Sequence, residues 1–228
     1  MIDHVHDLVS VREATERLLG AADALDNAAV AAPSRLPGWS RGHVLAHLAR
    51  NADALVNVLE GRPMYESDAS RGADIERDAP RALDIQLADV RNTGERFLHS
   101  ASAPADWTRI LVLRNGVTDV AARLPFRRLV EVELHHVDLG IGRELEDLSE
   151  EFTVREIDFL TERFSGNPAV PPLTLKATDG RTWRTGGAEG VPRPVTGPAA
   201  DLMGWLAGRR DGAALESADG PLPVLPPL

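Results

Sequence analysis

There is no cysteine among the 228 residues. That excludes a disulfide, a thiolate-ligated metal and a cysteine nucleophile, so any thiol chemistry has to use a thiol from outside. Positive charge is in deficit: 25 Lys and Arg stand against 35 Asp and Glu, a formal charge of −10. A chain this acidic has no electrostatic footprint for nucleic acid or for an anionic membrane. No apolar run approaches the ~18–20 residues of a membrane span. The first residues mix acids with apolar side chains and contain no continuous apolar segment, so they do not read as a signal peptide. The expected location is the cytoplasm. Nucleotide and acyl-transfer motifs are also missing: no G-x-G-x-x-G follows a strand, and there is neither a P-loop nor a G-x-S-x-G elbow. Aromatics are only 4%, a compositional bias that carries no functional content.

What is present is ordinary for a globular protein, with 43% hydrophobic and 26% charged residues. The length allows one large domain or two smaller ones. Apolar spacing predicts a long amphipathic helix over 4–29, with Val5, Leu8, Leu18 and Leu25 inward, ended by Pro33 and Pro37–Gly38. Ser40 reads as the N-cap of a second helix over 41–60, closed by Gly61 and Pro63. Residues 64–80 are polar and read as a loop, and 81–100 as a third helix. Asn115–Gly116 between apolar runs signals a hairpin, and Pro125 opens a fourth helix running to about Ile141. These four helices suggest a bundle. Beyond about residue 150 the pattern changes. A helix over 153–164 precedes a hairpin across Asp179–Gly180, a short strand at Val195–Thr196, and a last helix opened by Pro198 and stopped by Gly208. The reading is mainly α: a four-helix bundle over 1–150 followed by a small α/β domain over 151–228. Without an obvious exposed apolar stripe, a monomer is expected.

The histidines focus the chemistry. His4, His6 and His99 sit at helix ends and read as surface groups. On the fourth helix, Glu131 and His135 are one turn apart and share a face, next to Leu134 and Val137. An unpaired charge on the core side of a helix costs several kcal/mol, roughly 3–5 when one partner is missing. A metal removes that cost, and bundle proteins supply carboxylate and histidine ligands from facing helices. Two imidazole nitrogens, one carboxylate oxygen and a water form the donor set of a catalytic zinc site. The third ligand should come from the second helix, and His47 is better placed for it than His43. The alternative is a hydrogen-bonded Glu131–His135 pair with His47 on a backbone carbonyl. Asp138 reads as a cap or as a support for a ligand. Glu133 and Asp147 read as solvated, His136 as pointing to the other side of the helix, and Gly186–Gly187 as a loop.

Several segments resemble one family. They are Leu36-Pro-Gly-Trp-Ser-Arg-Gly-His43-Val-Leu-Ala-His47-Leu-Ala-Arg-Asn51, Met64-Tyr65 with Arg71-Gly-Ala-Asp74-Ile-Glu76, Arg128-Leu-Val-Glu131-Val-Glu-Leu-His135-His136-Val-Asp138, and Gly197-Pro-Ala-Ala-Asp-Leu-Met-Gly-Trp205-Leu-Ala-Gly-Arg209. In this order they are similar to the mycothiol-dependent maleylpyruvate isomerases. The resemblance implies a DinB-like four-helix bundle with one zinc, followed by a sterol-carrier-like α/β domain. It maps the zinc ligands onto His47, Glu131 and His135. It also implies an active-site arginine from the C-terminal domain, Arg209 by motif position, with Arg210 next to it. His136 departs from the family pattern, which more often has a small residue there.

The activity implied is cis–trans isomerisation of maleylpyruvate to fumarylpyruvate, with mycothiol as thiol cosubstrate and zinc activating it. A relative of the same kind would instead be a mycothiol S-transferase that leaves the thiol on another electrophile. A non-enzymatic bundle with a structural metal is the third class. In the isomerase scheme Arg209 holds a substrate carboxylate, a task that Arg41 or Arg71 could share.

Overall fold

Helix α1 (His4–Ala22) starts at Asp3, whose carboxylate accepts a hydrogen bond from the His6 amide. It does not continue to residue 29. Asp26 caps a separate short helix, α2 (Asn27–Ala31), by accepting from the Ala29 amide, and the chain turns between the two. Nor is Val5 inward: it is 63% exposed, and the buried face of α1 is Val11, Ala14, Leu18, Leu19 and Ala22. The computed structural model describes residues 2–103, 105–218 and 220–227. They divide into two units, Met1–Arg143 and Glu144–Leu228.

In the first unit, Ser40 opens α3 (Arg41–Leu59) with a reciprocal cap. Its hydroxyl accepts from the His43 amide, and His43 Nδ1 accepts from the Ser40 amide. The region expected as a polar loop contains a helix, α4 (Asp68–Asp78), capped in the same way by Ser67 and Ser70. Its apolar periodicity is invisible because Ile75 and Asp78 are its only buried residues. Next come α5 (Leu83–Ser102), strand β1 (Ile110–Val112), strand β2 (Thr118–Val120) and α6 (Leu124–Asp138). The hairpin turns at Asn115–Gly116, both with positive φ, as the dipeptide predicts. Pro125 sits in the first turn of α6 and Gly140, at φ +64, follows its end.

Helices α1, α3, α5 and α6 form a ring in which α1 and α3 each pack on α5 and α6. This is the four-helix bundle the patterning predicts. Val44, Leu45, Leu48, Ala52 and Leu55 form the buried face of α3. Each such leucine or valine side chain contributes about 1.5–3 kcal/mol by leaving water. Gly42 shows how tightly α3 is seated: a Cβ there would lie 2.2 Å from the Ala79 carbonyl oxygen.

In the second unit Ser149 caps α7 (Glu150–Phe164), three residues before the predicted start. A four-stranded sheet follows, in the order β4-β3-β5-β6. Strands β3 (Leu173–Ala177) and β4 (Thr182–Thr185) form the expected antiparallel hairpin. Strand β5 (Arg193–Gly197) is longer than the two residues expected and runs parallel to β3. Strand β6 (Glu216–Ser217), unread in the sequence, closes the edge. Helix α8 (Ala199–Leu206) packs on α7, β3 and β5, with Pro198 as its cap rather than inside its first turn. Gly186 is a loop residue, as expected, and an obligatory one: at φ +86 a Cβ would lie 2.0 Å from the Pro171 carbonyl oxygen.

Candidate metal centre

The middle of α3 and the second half of α6 face each other and bring His47, Glu131 and His135 together. One donor atom from each lies within 4.8 Å of the others. Both imidazoles converge on the same carboxylate oxygen: Glu131 Oε2 is 2.9 Å from His47 Nε2 and 3.2 Å from His135 Nε2. The two rings meet edge to face, 4.7 Å between centroids. The candidate ligands on α6 share a face because they are one turn apart, and the bundle packing brings the α3 histidine to them.

The groups around the three candidates differ in kind. His135 Nδ1 is 2.8 Å from Asp138 Oδ2, one turn further along α6, and that carboxylate is 1% exposed. A carboxylate in this position fixes the ring and its tautomer, leaving Nε2 free to bind a metal. His47 Nδ1 instead faces Arg71 Nη2 at 3.2 Å. The Arg71 guanidinium carbon lies 5.8 Å above the centre of the Tyr65 ring. Trp39 completes the surroundings, its ring 5.5 Å from that of His47.

The protonation states follow from these contacts. Burial lowers His47 to about 4, although Glu131 acts to raise it. Burial alone would raise the Glu131 carboxyl, but the hydrogen bonds with His135 and His47 prevail and hold it well below the usual carboxylate range. For His135 burial acts downward, and the Asp138 and Glu131 carboxylates overcome it and raise the pKa. Burial raises the Tyr65 phenol, which stays protonated at neutral pH.

Other candidates have structural roles. His43 is taken up by the Ser40 cap, and its Nε2 lies 3.3 Å from Glu76. Arg41 cannot serve a substrate, because it donates to the Leu139, Ala29 and Gly140 carbonyls. His136 lies outside the cluster and is 4% exposed, and its Nδ1 has no partner among the described residues. Glu133 is not solvated: at 6% exposed, it accepts from Arg17 and Arg143, each at 2.8 Å. Arg17 lies on α1 and Arg143 beyond the end of α6, so helical spacing alone does not show the burial.

Arg128 had no role in the sequence reading. Fully buried one turn before Glu131, it donates from Nη1 to the Leu48 carbonyl and the Asn51 amide oxygen, both at 2.8 Å. An arginine on the core side of an apolar helix face was the available signal. Burial lowers its pKa to about 10, while the Glu131 carboxylate acts in the opposite direction.

In the second unit Arg210 is paired with Asp201 and Glu146, each at 2.6 Å. Arg209 donates to the Ala207 carbonyl.

The family models cover both units. The mycothiol maleylpyruvate isomerase N-terminal domain matches residues 11–140, and the C-terminal domain of the same proteins matches residues 147–227. The chain belongs to this family. In fold it is similar to a crystal structure of the mycothiol-dependent maleylpyruvate isomerase, with a TM-score of 0.89 and 24% identity over 99% of this chain and 97% of that one. A histidine-to-alanine mutant of that enzyme matches with the same TM-score and coverage at 23% identity. No curated protein sequence matches. No described helix is long and apolar enough to cross a membrane.

Proposed function

We propose that this protein isomerises maleylpyruvate to fumarylpyruvate with mycothiol as cosubstrate, and that His47, Glu131 and His135 hold a zinc ion. The observation that carries the reading is the convergence of two imidazoles and a carboxylate, within 4.8 Å, in a chain whose two units both match this family. The donor set fits zinc: nitrogen and oxygen ligands from facing helices, with His135 backed by Asp138. Three protein ligands make a catalytic rather than a closed structural site. Zinc held there supplies an open coordination position and the charge that keeps a thiol ionised near neutral pH.

Isomerisation needs the cis double bond to become single for a moment. A thiolate adds to the alkene carbon, the electron pair moves onto the conjugated carbonyl, the adduct rotates, and elimination returns thiolate and the trans product. The protein has to hold a dianion while this happens. A guanidinium only donates, so Arg71 is no lasting partner for a His47 whose Nε2 is a ligand and whose Nδ1 carries the hydrogen. It is instead available to a substrate carboxylate beside Tyr65. By its motif position, Arg209 is assigned the other carboxylate.

The test is absorbance-monitored conversion of maleylpyruvate by zinc-loaded protein, with and without catalytic mycothiol. Turnover that requires mycothiol and regenerates it is the expected result. No turnover at full zinc occupancy overturns the isomerase reading. Mycothiol adducts found by mass spectrometry would then identify an S-transferase.

A further inference from the structure

The first unit has a groove of about 640 Å³ between the loop that leaves α3 and the β1–β2 hairpin. Its volume falls within the roughly 300–1,000 Å³ of small-molecule sites. Ile110 and Val112 on β1 line it, and each is 63% exposed, apolar surface held open to water. Asp68 and Arg114 line it too, and pair with each other at 2.7 Å. Both are largely exposed, so the pair is weak and readily exchanged for other hydrogen bonds. Tyr65 is also in the lining. Its ring lies under Arg71, which reaches His47, so the groove is two side chains from the ligand cluster.

A metal centre engages only the sulfur of a small thiol; the rest of the molecule needs its own surface. The geometry points to this groove as the subsite for the body of the thiol cosubstrate, a polyhydroxylated glycoside, an assignment that rests on the proposed thiol-dependent function. Hydroxyl groups donate to the Asp68 carboxylate and accept from Arg114, and the C–H faces of the sugar and cyclitol rings lie on Ile110 and Val112. The small dianionic electrophile matches none of this. It gains nothing from the apolar surface of Ile110 and Val112, and the Arg114 charge is already shared with Asp68.

The probe is the thiol-free glucosaminyl-inositol portion of mycothiol, which binds without chemistry. It is titrated by NMR into the full chain, both zinc-loaded and metal-stripped. The fragment should bind the two forms alike and about tenfold more weakly to Val112→Glu and Arg114→Ala. Ile85→Glu, on the exposed side of α5 and away from the groove, should bind as the parent does. In steady state Val112→Glu should raise the KM for mycothiol about tenfold. Failure of the fragment to bind the parent, or binding to Val112→Glu and Arg114→Ala at parental strength, overturns the assignment. So does a rise in the KM for maleylpyruvate in place of that for mycothiol. Fragment binding in the groove without any turnover of maleylpyruvate removes the proposed reaction and leaves the groove assignment standing.

Discussion

His135 Nδ1 and Asp138 Oδ2 lie 2.8 Å apart on adjacent turns of α6, both buried. The bond leaves Nε2 as the only ring nitrogen of His135 available to a metal. Removing such a partner weakens metal binding about 10–100-fold. Asp138→Ala should therefore retain the fold, by circular dichroism, and lose zinc affinity by that factor in a chelator competition. Parental affinity would separate Asp138 from the centre.

His47→Ala should contain almost no zinc by elemental analysis and show no turnover. His136→Leu should keep a full zinc complement. It also removes a buried Nδ1 that has no partner among the described residues. Relief of an unsatisfied polar atom is worth about 1–3 kcal/mol, so the melting temperature should rise. Loss of zinc in His136→Leu would make that residue a ligand.

Zinc binding should release a proton near pH 6.5. His47 is lowered to about 4 and is already neutral there, whereas His135 is raised above its ordinary 6.5 and is largely protonated. A metal displaces the His135 proton, so affinity falls as pH drops through the raised pKa and levels off above it. Calorimetry in two buffers of different ionisation enthalpy measures the release. No buffer dependence at pH 6.5 would contradict the raised pKa.

Arg209→Lys should lower turnover while leaving zinc bound, because a lysine cannot reproduce bidentate contact with a carboxylate. Arg210→Ala should leave turnover nearly intact, since its pairs with Asp201 and Glu146 are local to the second unit. The reverse pattern would move the active-site role one residue along.

Gly42→Ala should destabilise the protein by about 1–3 kcal/mol, the usual cost of overpacking. The added carbon meets the backbone oxygen of Ala79, which cannot rotate away as a side chain can. Urea denaturation checks this.

Much of the centre could be read from the chain. A carboxylate and an imidazole one turn apart on an apolar face, with a second histidine on another buried helix, are local facts that periodicity exposes. Ser40 and Gly140 mark helix ends by ordinary capping chemistry. What stayed hidden depends on distant partners. Glu133 looks solvated until Arg17 and Arg143 are brought to it. Helix α4 buries too little to show a stripe, so the polar pattern places Arg71 on a loop. Strand β6, at two residues, is too short to leave any pattern and exists through its pairing with β5.

Trp39, in ring contact with both His43 and His47, is one of only four tryptophans in the chain. At 5.5 Å from the His47 ring it is close enough for a paramagnetic ion such as Co²⁺ or Cu²⁺ at the centre to quench its fluorescence. Trp39 is thus an intrinsic optical reporter of Co²⁺ or Cu²⁺ entering the cluster, readable in solution without a label.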